Sequence, residues 1–386
     1  MTTRPDDIPD VLFDSADRSP PRDLRLDWMR GAALLVMFVD HFRSNALSAW
    51  SPGKFGYSDM ASIFVFVSGC AGGVVFRGIL RDRGFLACCG KAFVRILQLS
   101  VAIVTTVFVT NCMATRLELS LLDPGFGVEL PACAIQIIGI LSLYCLLVAM
   151  LPLMVWLNER HWLWLLLPSL LVYLAALLLE PGRESPSVLF RITGFQPLSW
   201  QLLFVTGILV YPLLQFRERE RSSRRGLLII ASIVMLDVSC LDALCFGKTH
   251  GIWTDKSYLG PLVYLHGVSV VFLLMTFLPD PENRLWNMWF TRRIVACGQS
   301  SLLVFCAGTV VQVLVEQLVF PQRTSLCVPI LHVGLLWGSC FSFAGKRSEE
   351  GAPQGVAEKC ASPLAPRRSK WNGHPPREGG RGPVVR

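Results

Sequence analysis

This chain has little charge. Asp, Glu, Lys and Arg make up 17% of its 386 residues, against 52% hydrophobic. So little charge excludes a soluble protein of this length, and the apolar residues fall in runs of about twenty, the length that crosses a bilayer as a helix. A cleavable leader is also lacking. The first thirty residues hold seven Asp and five Arg but no apolar h-region, so the first membrane helix is expected to direct insertion itself. None of the thirteen cysteines forms a C-x-x-C pair, which argues against a metal centre or a disulfide framework. Most lie inside apolar runs (among them Cys70, Cys112, Cys145, Cys240, Cys306 and Cys340), where a thiol behaves as a small hydrophobe. The net charge of +8 reads as loop bias in a membrane protein and gives no reason to expect nucleic acid as a partner.

Ten apolar segments are present: 32–50, 61–80, 92–112, 134–156, 162–180, 199–216, 226–246, 261–278, 294–316 and 325–344. With the N-terminus inside, 28 of the 36 Lys and Arg residues fall on the inner side and eight on the outer. The positive-inside rule then places both termini in the cytoplasm. The expected fold is an all-α, polytopic integral membrane protein of about ten helices. Residues 1–21 form a cytoplasmic lead and 22–344 the membrane domain. Residues 345–386, rich in Pro, Gly, Arg and Ser, read as a disordered basic tail.

The first segment is the least ordinary. It passes from Arg22-Asp-Leu-Arg-Leu-Asp-Trp-Met-Arg-Gly through an apolar run to Asp40-His41. Arg30 and His41 are eleven residues apart, about 16 Å and close to three turns, so both belong to one helix face. Ionisable groups within a membrane helix are functional candidates by default. A cation at the inner end and an imidazole further out suit transfer between a cytosolic donor and an external acceptor. They suit a proton-coupled transporter equally well, and the bland alternative is that Asp40 and His41 mark the end of a short helix.

Other candidates lie further along. Asp59, at the outer mouth of the second segment, either faces His41 or caps its helix. Gly69 and Gly73 form a G-x-x-x-G whose expected role is close packing. Trp200-Gln201 either stacks on and hydrogen-bonds a sugar or anchors the helix at the interface. His266 is a second histidine within an apolar segment. Gly298-Gln299-Ser300-Ser301 interrupts the ninth segment and is placed to line a donor cavity.

Several of these stretches resemble one family. Arg22-Asp-Leu-Arg-Leu-Asp-Trp-Met-Arg-Gly with Asp40-His41, Phe55-Gly-Tyr-Ser-Asp, Phe64-Val-Phe-Val-Ser-Gly, Trp200-Gln-Leu-Leu-Phe and Ser301-Leu-Leu-Val-Phe look like the OpgC proteins. These are bacterial inner-membrane enzymes that succinylate osmoregulated periplasmic glucans. They belong to the acyltransferase-3 superfamily, whose first membrane helix carries an arginine, ten residues and a histidine. Arg30 and His41 fit that spacing. The resemblance runs from about Arg22 to Leu314. The sequence departs from the family pattern at three places: an acid often stands at Ser62, an Asn at Gln196 and a basic residue at Gln299.

The resemblance implies a multi-pass inner-membrane O-acyltransferase with succinyl-CoA as donor substrate, a periplasmic glucan as acceptor and no bound cofactor. His41 would be the general base, with Asp40 or Asp59 as its partner. Asp40 projects about 100° away from His41 on an ideal helix, so it reaches the imidazole only if the helix is distorted. Arg30 would hold donor phosphate or carboxylate, and Ser68, Trp200, Gln201 and His266 would contact substrate. No nucleophile-elbow motif supports an acyl-enzyme. The alternatives are acylation of another external glycan, and a transporter using Asp40, His41 and His266 as a proton relay.

Overall fold

The structure is a computed structural model that describes residues 23–41, 51–121, 132–179, 190, 193–215, 223–245, 251–280 and 283–319. Among the described residues it is all-helical, with no strand. The first helix, α1 (Leu24–Asp40), begins well before the apolar run because Asp23 caps it: the Asp23 carboxylate accepts from the Arg25 N–H at 3.0 Å. Arg30 therefore sits two turns inside α1 rather than at its start. The helix ends at Asp40, whereas the sequence led us to expect it to continue to Trp50; residues 42–50 lie outside the described residues.

The chain continues through α2 (Pro52–Phe55), α3 (Met60–Arg83), α4 (Phe85–Leu121), α5 (Ala132–Arg160), α6 (Trp162–Leu179), α7 (Pro197–Gln215), α8 (Ser223–Cys245), α9 (Pro261–Phe277), α10 (Trp289–Gln299) and α11 (Ser301–Val319). Among the described residues, four stretches are long and apolar enough to cross a membrane: Met60–Arg83, Phe85–Met113, Gly139–Arg160 and Trp162–Leu179. A fifth arises if α10 and α11, which meet at a 95° bend, are taken as one span. Pro197–Pro212 and Pro261–Phe277 are shorter apolar helices. The tenth apolar segment, 325–344, the lead 1–21 and the tail 345–386 lie outside the described residues.

Helix α3 is the hub, packing against α1, α4, α5, α7 and α9. Its approach to α7 depends on small residues. A Cβ at Gly69 would land on the Phe204 carbonyl oxygen, and one at Gly207 on that of Phe66. Such close backbone approach is the packing role expected of the G-x-x-x-G. Phe66, Leu143, Leu151, Trp200 and Phe204 fill the interior around this crossing. The outward residues of α4 and α6, including Phe93, Phe108, Trp164 and Leu171, are exposed and apolar, as a lipid-facing surface must be.

The bend between α10 and α11 falls at the Gly298-Gln299-Ser300 interruption that the sequence shows. Ser300 leaves helical geometry at φ −104, ψ 31. On the near side of the bend, Gly31 and Gly298 let α1 and α10 touch backbone to backbone, and Gln299 Nε2 donates to Asp27 Oδ2 at 3.3 Å. Beyond it, α11 runs alongside α1, with Gly308 making room for the Phe38 ring.

Candidate active site

Apolar side chains of α1 and α11 leave a cavity of about 30 Å³ between them. Leu34, Leu35, Met37 and Phe38 line it from α1 and His41 from the cap that follows; Val304, Phe305, Thr309 and Gln312 line it from α11. Leu34, Met37 and His41 share the helix face on which Arg30 lies one turn earlier. Arg30 Nε is buried without a hydrogen-bond partner. A buried orphan donor in a charged group is costly and marks a place where a ligand oxygen would be stabilised.

His41 is the first residue beyond α1. Its N–H stays bonded to Met37 O at 3.2 Å, and its ring Nδ1 lies 2.5 Å from the same carbonyl oxygen. A carbonyl oxygen only accepts, so Nδ1 carries the proton and Nε2 of the neutral ring keeps its lone pair. That is the tautomer a base needs. Its orienting group is thus a backbone carbonyl, where the sequence suggested a carboxylate.

The two carboxylates are engaged elsewhere. Asp40 turns to the loop before α3, where its Oδ2 accepts from Ser51 Oγ at 2.7 Å, while Oδ1 is buried without a hydrogen-bond partner. Asp59 caps α3, accepting from Ser62 N at 3.2 Å and Ser62 Oγ at 3.3 Å. Of the two roles left open for Asp59, the structure shows the cap. Neither acid hydrogen-bonds to His41 through any contact seen among the described residues.

His266 is buried in α9 under that same loop. The Ser58 N–H donates to its Nδ1 at 3.3 Å, and Ser58 Oγ lies 2.7 Å from the same atom. Because a backbone N–H only donates, Nδ1 is the acceptor and the proton sits on Nε2. The two histidines hold opposite tautomers, and His266 spends its lone pair on holding the loop. Gly56 lies flat against its ring, where any Cβ would collide with the imidazole. The loop is also tied by Tyr57, whose hydroxyl donates to Asp242 Oδ2 at 2.9 Å, and by Lys256 Nζ, 3.4 Å from Gly53 O.

The remaining candidates divide. Ser68 Oγ is buried in α3 with no hydrogen-bond partner and keeps its capacity for a ligand. Trp200 is fully enclosed, its indole N–H donating to the carbonyls of Lys256 and Ser257 at 3.1 and 3.2 Å. Gln201 is 2% exposed and donates to Ser169 O at 2.7 Å. The sequence left this pair open between a sugar contact and an interfacial anchor; in the structure both are enclosed and their N–H groups serve neighbouring helices and loops. Gln312, which sequence reading passed over, is 1% exposed and donates to His41 O at 2.8 Å. Its signal was there: an amide in the middle of an apolar helix needs a partner.

The OpgC protein family matches residues 22–125 and 134–344. The chain belongs to the OpgC family. The matched range includes α1 with Arg30 and His41, the loop carrying Ser51 and Asp59, and both sides of the cavity. Family membership implies an acyltransferase that modifies glucans, and the apolar helices agree with a membrane enzyme. No curated protein matches the sequence.

Proposed function

We propose that this OpgC-family protein moves a succinyl group from succinyl-CoA, bound from the cytoplasmic side of a bacterial inner membrane, to a hydroxyl of a periplasmic glucan. One observation carries the reading. A single face of α1 bears a half-buried cation whose Nε is an orphan donor and, three turns on, an imidazole with a free lone pair, and the cavity between α1 and α11 opens on that face. Arg30 stabilises the donor's phosphate or carboxylate oxygens. His41 Nε2 takes the proton of the attacking sugar hydroxyl as its oxygen bonds to the thioester carbonyl carbon, and the thiolate of CoA leaves. A positioned base of this kind contributes about 10²–10⁴-fold, because a sugar hydroxyl is a poor nucleophile at neutral pH. The succinyl identity and the glucan acceptor rest on the family, and the direction of transfer on the positive-inside bias.

The test is acyl transfer in membranes containing the protein. Labelled succinyl-CoA and a purified glucan are supplied together, and the glucan is then weighed by mass spectrometry. A succinyl-sized gain that requires the protein supports the reading. Consumption of another acyl-CoA, or labelling of another glycan, would replace the donor or the acceptor. Movement of glucan across the membrane with no acyl-CoA consumed would favour a transporter.

A further inference from the structure

A primary amide buried in the apolar stretch of a membrane helix is expensive unless it is hydrogen-bonded. Gln312 is such a group, and its partner is specific: the carbonyl of His41, at 2.8 Å. The last four carbonyls of a helix have no partner within it, and His41 is the cap residue of α1. Gln312 therefore satisfies the end of α1 from across the cavity that the two residues both line. His41 is then held at three points. Its N–H and its Nδ1 meet Met37 O, and its own carbonyl meets Gln312. The first two contacts lie within α1 and fray with it. The third ties the cap to a second helix and fixes where the imidazole points.

We propose that Gln312 is a positioning residue for His41, holding Nε2 of the imidazole toward the cavity between α1 and α11. The proposal rests on the reading of His41 as the base. Gln312 touches neither reacting atom in this role; it sets the direction from which His41 meets the acceptor hydroxyl. A displacement of the base by about 1 Å costs on the order of 10²-fold in rate.

The experiment uses the full chain in detergent or native membranes with two variants, Gln312→Leu and Gln312→Met. Leucine has no donor, and methionine keeps the length of the side chain but has only a thioether, which cannot donate to a carbonyl. Both should lower kcat on the order of 10²-fold, with KM for acyl-CoA within about twofold, the pattern of an interaction made in the transition state. A second readout needs no turnover: the rate at which diethyl pyrocarbonate modifies His41, followed by peptide mass spectrometry with His161 as internal reference. Both variants should change the His41 rate and leave the His161 rate alone. Wild-type kcat in both variants would overturn the proposal. So would an unchanged His41 modification rate, or activity lost only in proportion to folded protein. If His41→Ala is itself fully active, the base assignment fails, and the modification rate alone then decides whether Gln312 positions the ring.

Discussion

Gly298 lies against the carbonyl of Asp27, so that α10 and α1 meet with no side chain between them. The contact is reciprocal: Gly31 faces the carbonyl of Ile294. This crossing sets the height of Arg30 relative to the bend before α11, and through α11 the place of the cavity. Neither neighbour is a flexible side-chain end that yields; both are helix backbone.

Gly298→Ala should therefore separate α1 from α10. Overpacking a fitted site costs about 1–3 kcal/mol. The expected outcome is a lower thermal midpoint together with weaker acyl-CoA binding, because Arg30 moves with α1. The control is Gly78→Ala, where nothing lies within 4 Å of the added carbon. Equal midpoints for the two variants would remove the crossing from this account.

His41 and Arg30 should fail in different ways. His41→Ala and His41→Gln should both lose about 10²–10⁴-fold in transfer, since neither accepts a proton at neutral pH. Gln is the stricter of the two because it keeps a hydrogen-bonding side chain of similar reach. Arg30→Ala should raise KM for acyl-CoA more than it lowers kcat, the pattern of lost uniform binding. Full transfer by His41→Gln would reduce the imidazole to a packing role.

Tyr57 gives the loop before α3 a dependence on alkaline pH. Burial first, then its hydrogen bond to Asp242 and that residue's charge, push the Tyr57 hydroxyl up to about 12, from an ordinary ~10. The folded state holds the proton where the unfolded chain releases it. The stability Tyr57 contributes is thus fully present below ~10 and lost as pH rises to about 12. Thermal midpoints measured across that window should fall more steeply for wild type than for Tyr57→Phe. Parallel curves would show that the phenol contributes nothing there.

Much of this was legible in residue order, and what was not has a physical reason. The ends of α6, α7 and α9 lie within a residue or two of the apolar runs, and α3 overruns its run by three at the C-terminal end, because composition decides where a helix enters lipid. The bend at Ser300 was marked by its Gly-Gln-Ser-Ser interruption. The start of α1 was missed because a side-chain cap at Asp23, not hydrophobicity, sets it. His41 could be found by its spacing from Arg30, but its partner could not: Met37 offers a backbone carbonyl, and every residue has one. Gln312 lies 271 positions from His41 in the chain, and only tertiary packing joins them. Tyr57–Asp242 and Ser58–His266 are invisible in sequence for the same reason.

Asp59 separates a cap from a catalytic partner. If it serves α3 alone, Asp59→Asn should keep full transfer, since Asn caps as well as Asp, and Asp59→Ala should cost about 1 kcal/mol of stability with kcat unchanged. Loss of kcat in the Asn variant would restore Asp59 to the site. Ser62 belongs to the same cap and is 1% exposed, with its Cβ 3.4 Å from where a Cβ on Gly267 would stand. An acid placed there would meet both Asp59 and α9. Ser62→Glu should thus lower the amount of folded protein as well as any activity.

Trp200 offers the clearest choice between a sugar platform and a structural post. An aromatic side chain that stacks on a glucan has to present a ring face to the acceptor. Trp200 presents none: it is fully enclosed, Phe195 packs edge-on at 5.0 Å between ring centroids, and its N–H donates to the carbonyls of Lys256 and Ser257. Those two carbonyls lie on the segment that leads into α9 and carries Lys256 to the loop before α3. Removing the indole leaves a cavity and two unserved carbonyls at once. Trp200→Ala should cost about 3–5 kcal/mol, and Trp200→Phe less, because the ring is largely replaced and only the N–H is lost. In both, the fall in activity should follow the fall in folded protein, with KM for glucan unchanged per folded molecule. A Trp200→Phe protein that folds to wild-type levels yet binds glucan markedly more weakly would return the indole to the acceptor site.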